Sequence, residues 1–542
     1  MIKKNVVISI FLALPFFLTS CTYLKYSSIQ AEYTDIQNAD PSQVNLKHML
    51  DRETFFVIGK TIDKSNRYSD VSMAIVAYSN KFKQNERVDT MFFKGTGTHY
   101  GLSLPEGVYT FLVYADIDKD QILHQSEIVG EKKVVISITN SPEKIMRHVD
   151  IELEGTTLTA WAETIPMPDI IETKQSLFYP AGTIRSLDDP IFDEKISTLG
   201  MYDPASFLEY APTMFYALEE DVVHKIPVVF VHGIGGSSRS FEPIVKSMDR
   251  DRYRIWFFYY PSGGDLDQLA DFFYSLFLSG EVIHLREMPM IVIAHSMGGL
   301  VVREALNKYE GKAGENKVEL FVTIASPLGG HPSAALGEKH GLIVLPAWRD
   351  LNPNSRFIKE LYRKPLPKFV NHQLFYAYKN TSTLKLGENS DGVVPLSSQL
   401  HPEAQKQSHD QFGFNNSHVG ILKNDEMITL LLKKMNGVKS IFPESHMKIL
   451  VNGGFDVKLN DSYSPITQHL IQYAGKYLVF LVNGVIEPFL PQQEHFIQAV
   501  QGKISANKDV EREFIMFMRE YPELVNGVLK GQPNKALQRI NR

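Results

Sequence analysis

The stretch Met290-Ile-Val-Ile-Ala-His-Ser-Met-Gly-Gly-Leu-Val-Val-Arg-Glu-Ala305 decides the fold. Its first five residues are apolar and predict a buried strand, and a helical pattern follows the two glycines. Between them, Ala294-His-Ser-Met-Gly298 matches the strand–turn–helix motif G-x-S-x-G, with alanine in place of the first glycine. Such a turn lifts the serine hydroxyl above the edge of a sheet. The pattern therefore predicts that Ser296 is a catalytic nucleophile rather than a structural serine in a loop.

Strand and helix patterns on both sides of this stretch predict an α/β domain over residues 226–437. Continuous apolar runs, typical of strands buried on both faces, occur at 227–231, 255–260, 320–325 and 374–378. Residues 266–278 predict an amphipathic helix. Alternating strands and helices indicate a doubly wound, mainly parallel sheet with helices on both faces. Residues 328–370, which include Trp348, are the best candidate for a small cap over an acyl pocket.

A serine hydroxyl is a poor nucleophile, so it needs a base, and the base needs an orienting acid. In a strand–elbow–helix hydrolase the acid and then the histidine follow the nucleophile along the chain. Asp391 fits the acid, because it follows the 374–378 strand and begins the turn sequence Asp391-Gly-Val-Val-Pro395. His418 is the favoured base, since it directly precedes a leucine-rich helical segment. The alternatives His401 and His409 lie in sequences typical of surface loops.

Two backbone amides are expected to bind the oxyanion of the tetrahedral intermediate. One is the amide of Met297, directly after the nucleophile, and the other comes from the glycine-rich loop 232–236 after the first strand. The glycines let the loop curl so that an amide, by our prediction that of Ile234, points into the site. No Lys-Ser/Thr pair follows the loop, which excludes a phosphate-binding P-loop. This chemistry requires neither a metal nor a cofactor.

Together these segments resemble an α/β-hydrolase of the bacterial lipase and esterase type, near the inositol-deacylase-like (PGAP-type) lipases. The family's order is kept by Val231-His-Gly-Ile-Gly-Gly236, Ala294-His-Ser-Met-Gly-Gly299, Ala325-Ser-Pro-Leu-Gly-Gly330, Asp391-Gly-Val-Val-Pro395 and Ser417-His418. The resemblance implies a triad of Ser296, Asp391 and His418. It also implies that Ile234 and Met297 donate to the oxyanion. The implied reaction is hydrolysis of a lipid or other hydrophobic ester, while acyl transfer and thioester cleavage stay open.

The N-terminal residues have the pattern of an exported lipoprotein. Lys3 and Lys4 precede an apolar run that is too short to span a bilayer comfortably, and Leu18-Thr-Ser-Cys21 resembles a lipobox. We expect residues 1–20 to be a signal peptide and Cys21, the only cysteine, to receive lipid such as palmitate. Residues 21–50 would form a polar tether. The resemblance to a lipobox implies anchoring to a bacterial membrane, the outer one, facing the periplasm.

Residues 51–160 predict a small β-sandwich, because short β-type runs are separated by turn residues. One turn carries acidic residues at positions 1, 3, 5 and 12 of a calcium-type loop, namely Asp116, Asp118, Asp120 and Glu127. Gln121 stands at the sixth position, where such loops have glycine, and no helices flank the turn. The sequence therefore favours a solvated acidic turn and no metal, with calcium binding as the alternative.

The remaining segments carry no chemistry that the sequence reveals. Residues 161–225 are rich in proline and aromatic residues and predict an ordered connector. Residues 438–542 predict a small α+β region, with a strand at Tyr477–Val482. A net charge of −6 over 542 residues shows no basic patch, so nucleic acid is not an expected partner. A binding or assembly lipoprotein, with the hydrolase domain as a scaffold and unknown protein partners, is the competing class.

Overall fold

The computed structural model describes residues 54–80, 85–96, 99–141, 145–154, 159, 163–167, 176–179, 183–211, 213–340, 344–379 and 389–530. The predicted signal peptide, the tether and Cys21 lie outside these residues. Two compact units are present, of which the first contains a β domain and an α/β domain. Among the described residues, no helix is both long and apolar enough to cross a membrane.

The β domain consists of two sheets packed face to face. Its described strands are β1 Thr54–Ile62, β2 Ser72–Ser79, β3 Glu86–Lys94, β4 His99–Pro105, β5 Gly107–Ala115, β6 Ile122–Leu123, β7 Ile128–Ile136, β8 Ile145–Met146, β9 Ile151–Glu152 and β10 Ile165–Pro166. One sheet has the order β4-β1-β8, with β9 also paired to β1, and the other has the order β3-β2-β5-β7. Val57 and Leu102 from the first sheet share a core with Ile75 and Phe111 from the second. The predicted β-sandwich is confirmed, although the sequence did not indicate β4.

The second sheet is buried on its other face as well. Leu112 and Tyr114 of β5 pack there with Leu123 of β6 and Ile165 of β10. The strands β6 and β10 pair antiparallel as a two-stranded ribbon. The acidic turn that follows β5 therefore connects the sandwich to the ribbon that covers it.

The α/β domain is built on a seven-stranded sheet, β11-β13-β12-β14-β15-β16-β17. The strands are β11 Phe215–Ala217, β12 Ile226–Val231, β13 Tyr253–Phe258, β14 Met290–His295, β15 Val318–Ile324, β16 Asn371–Tyr378 and β17 Asp410–Asn415. The pairs from β12–β14 through β16–β17 are parallel, and β11 pairs antiparallel with β13. The predicted doubly wound, mainly parallel sheet is confirmed, and it has the α/β-hydrolase fold. Every residue of β12, β13 and β14 is buried, which explains their continuous apolar sequences.

The described helices of this unit are α1 Glu194–Tyr202, α2 Pro204–Tyr210, α3 Glu242–Lys246, α4 Leu266–Phe273, α5 Gly298–Asn307, α6 Pro332–His340, α7 Pro346–Leu351, α8 Arg356–Glu360, α9 Leu396–Gln399, α10 Pro402–Gln407 and α11 Asp425–Met435. A π-helical segment, Tyr274–Leu278, continues α4. The predicted connector contains α1, α2 and β11, so its second half is part of the α/β domain. The helices α6 to α8 occupy the predicted cap, and Asp350 of α7 accepts a hydrogen bond (2.8 Å) from the Leu266 amide at the start of α4.

The second unit comprises residues from Lys439 onward together with Glu220–Ile226 and Asp249–Arg254. Its described helices are α12 Glu444–Leu450, α13 Pro465–Val482, α14 Pro491–Val500, α15 Asp509–Glu520 and α16 Pro522–Lys530. The strand predicted at Tyr477–Val482 is wrong, because these residues form the last turns of α13. Ser464 caps that helix by accepting from the Thr467 amide (3.3 Å). The described part of this unit is thus helical rather than α+β.

Candidate active site

Ser296 lies in the sharp turn between β14 and α5. Its φ angle is 55°, in the left-handed region that residues with a Cβ rarely adopt. A Cβ on Gly298 would lie 2.6 Å from the carbonyl oxygens of Val231 and His232, so only glycine allows the turn to pack this closely on the end of β12. This strained turn is the geometry that a nucleophile elbow requires.

The structure brings Ser296, His418 and Asp391 together in one hydrogen-bonded chain. The Ser296 hydroxyl donates to Nε2 of His418 at 2.9 Å. Nδ1 of His418 donates to Oδ2 of Asp391 at 2.7 Å. The three side chains follow β14, β17 and β16, whose parallel arrangement places their carboxyl ends at one edge of the sheet. All three residues are buried, with exposed fractions of 6%, 8% and 1% for Ser296, His418 and Asp391.

The two alternative histidines lie elsewhere. His401 stacks on the ring of Tyr362, with 5.0 Å between the ring centres. His409 is exposed, and its Nδ1 contacts Oδ2 of Asp410 at 3.0 Å. Among the described residues, neither makes a hydrogen bond to Ser296, so of the three candidate histidines His418 is the one in contact with it.

The carboxylate of Asp391 is surrounded by donors. Oδ1 accepts from the amides of Val393 (2.8 Å) and Val394 (2.7 Å), which the predicted turn after Asp391 provides. Oδ2 accepts from Nε2 of Gln399 at 3.2 Å in addition to His418. Gln399 also bonds the backbone of Ala377 in β16, to its amide at 2.8 Å and its carbonyl at 3.0 Å. Gln399 therefore fixes the acid to the sheet, and sequence reasoning missed it because no local pattern marks the contact.

The loop 232–236 lies directly against the nucleophile. A Cβ on Gly233 would be 2.6 Å from Cβ of Ser296, so only glycine leaves room beside the hydroxyl. Ser262 holds the loop by accepting from the Gly235 amide at 2.9 Å. Among the described residues, the amides of Ile234 and Met297 have no hydrogen-bond partner. The two amides for which the sequence predicts donation to an oxyanion are therefore not engaged by other described residues.

Two buried histidines that the sequence did not assign position this site. His232 stacks on Tyr260, with 4.3 Å between ring centres, and its Nε2 accepts from the Tyr260 amide at 3.3 Å. His295 donates from Nε2 to the backbone carbonyl of His418 at 2.9 Å. Burial lowers the pKa of His232 to about 4 and that of His295 to about 3, so both are neutral at pH 7. His295 occupies the variable position of the elbow motif, where the motif itself gives no role.

An apolar cluster lies next to the oxyanion loop. Met201 and Tyr202 at the end of α1 and Leu345 before α7 are buried in it, and Ile234 and Trp348 pack against them. Because Ile234 belongs to both the loop and the cluster, apolar side chains from the connector and the predicted cap adjoin the loop that contacts Ser296. The part of the cap that the structure describes thus contributes apolar surface to the site.

Parts of the chain are similar to known proteins. Residues 262–359 match the family model of lecithin:cholesterol acyltransferase, a range that includes Ser296 and the cap helices but neither Asp391 nor His418. Among curated proteins, none matches the chain. Solved structures similar to it include lipase BlEst2 of Bacillus licheniformis in mature form, at 18% identity over 41% of this chain and 97% of that chain (TM-score 0.32). Lipase B of Aspergillus fumigatus is 13% identical over 50% of this chain and 64% of that chain (TM-score 0.33). A Listeria innocua protein is 15% identical over 40% of this chain and 96% of that chain (TM-score 0.31). Over residues 262–359 the α/β domain therefore resembles the lecithin:cholesterol acyltransferase family.

Proposed function

We propose that this protein is a serine hydrolase that cleaves carboxylic esters, of the lipase and esterase type. One observation carries the proposal, namely the continuous hydrogen-bonded chain from Asp391 through His418 to Ser296. This arrangement supplies a nucleophile, a base in reach of its proton, and an acid that fixes the tautomer of the base. The strained backbone of Ser296 supports the same role.

In the proposed reaction, Nε2 of His418 takes the proton from Ser296 as Oγ attacks the ester carbonyl. The Asp391 carboxylate stabilises the imidazolium that forms, and the amides of Ile234 and Met297 donate to the oxyanion. Collapse of the tetrahedral intermediate breaks the ester bond, and His418 gives its proton to the leaving alkoxide. Water attacks the acyl-enzyme in the same way and releases the acid and the free Ser296 hydroxyl.

The expected substrate is a lipid or another ester with a hydrophobic acyl group. The support is the apolar cluster of Met201, Tyr202 and Leu345, which includes Ile234 of the oxyanion loop. Burial of each methylene of an acyl chain against such a surface is favourable by about 0.8 kcal/mol. We therefore expect KM to fall as the acyl chain lengthens, until the chain exceeds the cluster.

We also propose that the reaction takes place at a bacterial membrane surface, where lipid on Cys21 anchors the chain. The support is the lipobox-like Leu18-Thr-Ser-Cys21 behind a short apolar run. Metabolic labelling with a clickable palmitate analogue tests this proposal. We expect the wild-type chain to be labelled in the membrane fraction and Cys21→Ser to be unlabelled. Labelling that persists in Cys21→Ser would refute the anchor.

Transfer of the acyl group to an alcohol is a second candidate function on the same site. It is favoured by the match of residues 262–359 to the lecithin:cholesterol acyltransferase family. Hydrolysis and transfer differ in what attacks the acyl-enzyme. Adding a long-chain alcohol to the assay separates them, because a transferase would form mainly the new ester even though water is in large excess.

Labelling with a fluorophosphonate probe tests the proposed nucleophile. We expect the wild-type chain to be labelled and to hydrolyse p-nitrophenyl esters, and Ser296→Ala to lose both properties. Ser408→Ala, in the same domain, is the matched control and should retain both. Labelling of Ser296→Ala equal to that of the wild type would leave a non-catalytic binding lipoprotein as the better account.

A further inference from the structure

The acidic turn between β5 and β6 gathers three carboxylates. One carboxylate oxygen from each of Asp116, Asp118 and Asp120 lies within 4.8 Å of the corresponding oxygens of the other two. Asp118 and Asp120 are exposed, whereas Asp116 is buried. Exposed acidic groups often cluster without a ligand. The buried residue, Asp116, is therefore the informative member of the group.

Asp116 is 5% exposed, and its Oδ1 is buried without a hydrogen-bond partner among the described residues. A buried carboxylate oxygen without a partner is unfavourable, because it loses its hydration and gains no hydrogen bond in return. Two neighbouring carboxylates increase this cost by repulsion. The environment of Asp116 is thus incomplete without a positive charge beside the three carboxylates.

The cationic side chains nearby do not supply that charge. Nε2 of His124 lies 3.3 Å from Oδ2 of Asp120 and makes no described contact with Asp116. Lys119 belongs to the turn itself, but within the described part of the chain it forms no ion pair. Among the described residues, no lysine or arginine side chain therefore forms an ion pair with any of the three carboxylates.

Glu127 is not placed as the calcium ligand that its position in the sequence suggests. Position 12 of a calcium-type loop is a ligand, but here Oε1 of Glu127 accepts from the Ile117 amide (2.7 Å) and Oε2 from the His124 amide (2.9 Å). Glu127 thus connects the start of the turn, at Ile117, to its end, at His124, through two hydrogen bonds. The brace holds the backbone in the curve that brings the three aspartates together.

We propose that Asp116, Asp118 and Asp120 bind a divalent cation, specifically Ca²⁺. Ca²⁺ takes six to eight oxygen ligands in a flexible arrangement, and water can complete the shell on the exposed side of the turn. Mg²⁺ is the weaker match, because it demands near-ideal octahedral geometry and loses its water reluctantly. The ion would link the end of β5 to the β6–β10 ribbon, so it stabilises the β domain and takes no part in the chemistry at Ser296.

Calcium titration of the full-length protein, after treatment with EDTA and dialysis, tests the proposal. We expect calorimetry to give one Ca²⁺ per chain with a Kd on the order of 0.1–1 mM, the range of extracellular calcium modules. Saturating Ca²⁺ should raise the melting temperature by a few degrees, because the ion binds the folded state. Mg²⁺ at equal concentration should have a smaller effect.

Two variants locate the ion. Asp118→Asn changes an exposed ligand without disturbing the core, and we expect it to weaken Ca²⁺ binding at least about tenfold. Asp70→Asn, which changes an exposed aspartate of the same domain paired with Lys94 at 3.1 Å, should bind Ca²⁺ like the wild type. Unchanged ester hydrolysis and circular dichroism show that each variant is folded. Absence of binding up to about 10 mM, equal binding of Mg²⁺, or an equal effect of the two variants would overturn the assignment.

Discussion

Asp391 in the α/β domain and Asp116 in the β domain are both buried aspartates in turns at the edge of a sheet, but their surroundings are opposite. Asp391 accepts from two amides, Gln399 and His418. Oδ1 of Asp116 has no hydrogen-bond partner among the described residues, and two carboxylates lie beside it. Burial alone therefore does not define the role of a carboxylate. One that is fully hydrogen-bonded orients another group, whereas one that lacks donors is suited to bind a cation.

The backbones of the two regions share one feature, a residue with a Cβ in the left-handed conformation. Ser296, which the Asp391–His418 pair serves, has a φ of 55°, and Gln121 in the acidic turn has a φ of 63°. Both are residues with a Cβ in the left-handed region, and such strain persists only where the surrounding contacts enforce it. At Ser296 the enforcing contacts are the close backbone packing of the elbow. At Gln121 they include the brace that Glu127 makes across the turn.

The largest effect is expected when the carboxylate of Asp391 is changed to an amide, and the same change at Asp116 is the matched exchange. Asp391→Asn should lower kcat by about 10⁴-fold, because the amide group cannot hold His418 in the tautomer that accepts the Ser296 proton. This loss equals about 5.5 kcal/mol of transition-state stabilisation. Asp116→Asn, the matched exchange, should leave kcat unchanged and abolish the rise of the melting temperature with Ca²⁺. Initial rates on a p-nitrophenyl ester and thermal melts of both variants measure the two effects. A similar loss of kcat in both variants would show that the two carboxylates do not differ in role.

The histidines of the hydrolase site predict a pH effect on stability. Burial lowers the pKa of His232 to about 4 and of His295 to about 3, from an ordinary value of 6.5. Below pH 6.5 these histidines bind protons in the unfolded chain but not in the folded chain. The free energy of unfolding therefore falls as the pH drops from 6.5 to about 4, and it is unaffected by these histidines above pH 7. Each residue accounts for on the order of 3 kcal/mol at pH 4.

Urea unfolding at pH 7 and pH 5 measures this effect on stability. His295→Gln keeps a donor for the His418 carbonyl but cannot be protonated, so the loss of unfolding free energy at pH 5 should be smaller in this variant. His409→Gln, a change at an exposed histidine, should behave like the wild type. The same loss in all three proteins would contradict the assignment of this effect to His295.

Much of this site could be predicted from the sequence because its parts are local motifs whose order along the chain is informative. The elbow, the glycine-rich loop and the turn after Asp391 each depend on backbone geometry that small residues reveal. Gln399 and His295 could not be predicted, since their partners Asp391 and His418 come close only when the sheet forms. The function of these two residues is a consequence of topology, which the sequence around them does not encode.

The elements that the sequence missed or misassigned have physical explanations as well. The strand β17 is mostly exposed or half-buried, so its sequence lacks the apolar run that marks the central strands. The segment Tyr477–Val482 is apolar enough for either a strand or a buried helix. The signal that separates the two lies further upstream, where Ser464 and Pro465 form a helix N-cap and first position. An apolar run should therefore be interpreted together with the capping residues that precede it.

Removing the Gln399 side-chain donor would make the surroundings of Asp391 more like those of Asp116. Gln399→Leu should lower kcat about tenfold with little change in KM, because Asp391 keeps its charge but holds His418 less firmly. The variant should also lose about 1–3 kcal/mol of unfolding free energy, since the Ala377 amide and carbonyl lose their buried partner. Gln411→Leu on the exposed side of β17 is the control and should change neither quantity. A fall in stability without a fall in kcat would limit Gln399 to a structural role.

The smallest effect is expected from a change in the backbone conformation of the acidic turn. Gln121 occupies the sixth position of the turn, where calcium loops have glycine, and its φ of 63° is the conformation that glycine adopts without strain. Gln121→Gly should therefore tighten Ca²⁺ binding by a few-fold, equivalent to less than about 1 kcal/mol, because the bound ion requires the turn to keep this conformation and glycine keeps it without strain. Asn66→Gly relieves a similar backbone conformation, with a φ of 53°, elsewhere in the β domain. That variant should leave the affinity for Ca²⁺ unchanged, so an equal gain in both variants would mean that glycine acts on the stability of the domain and not on the cation site.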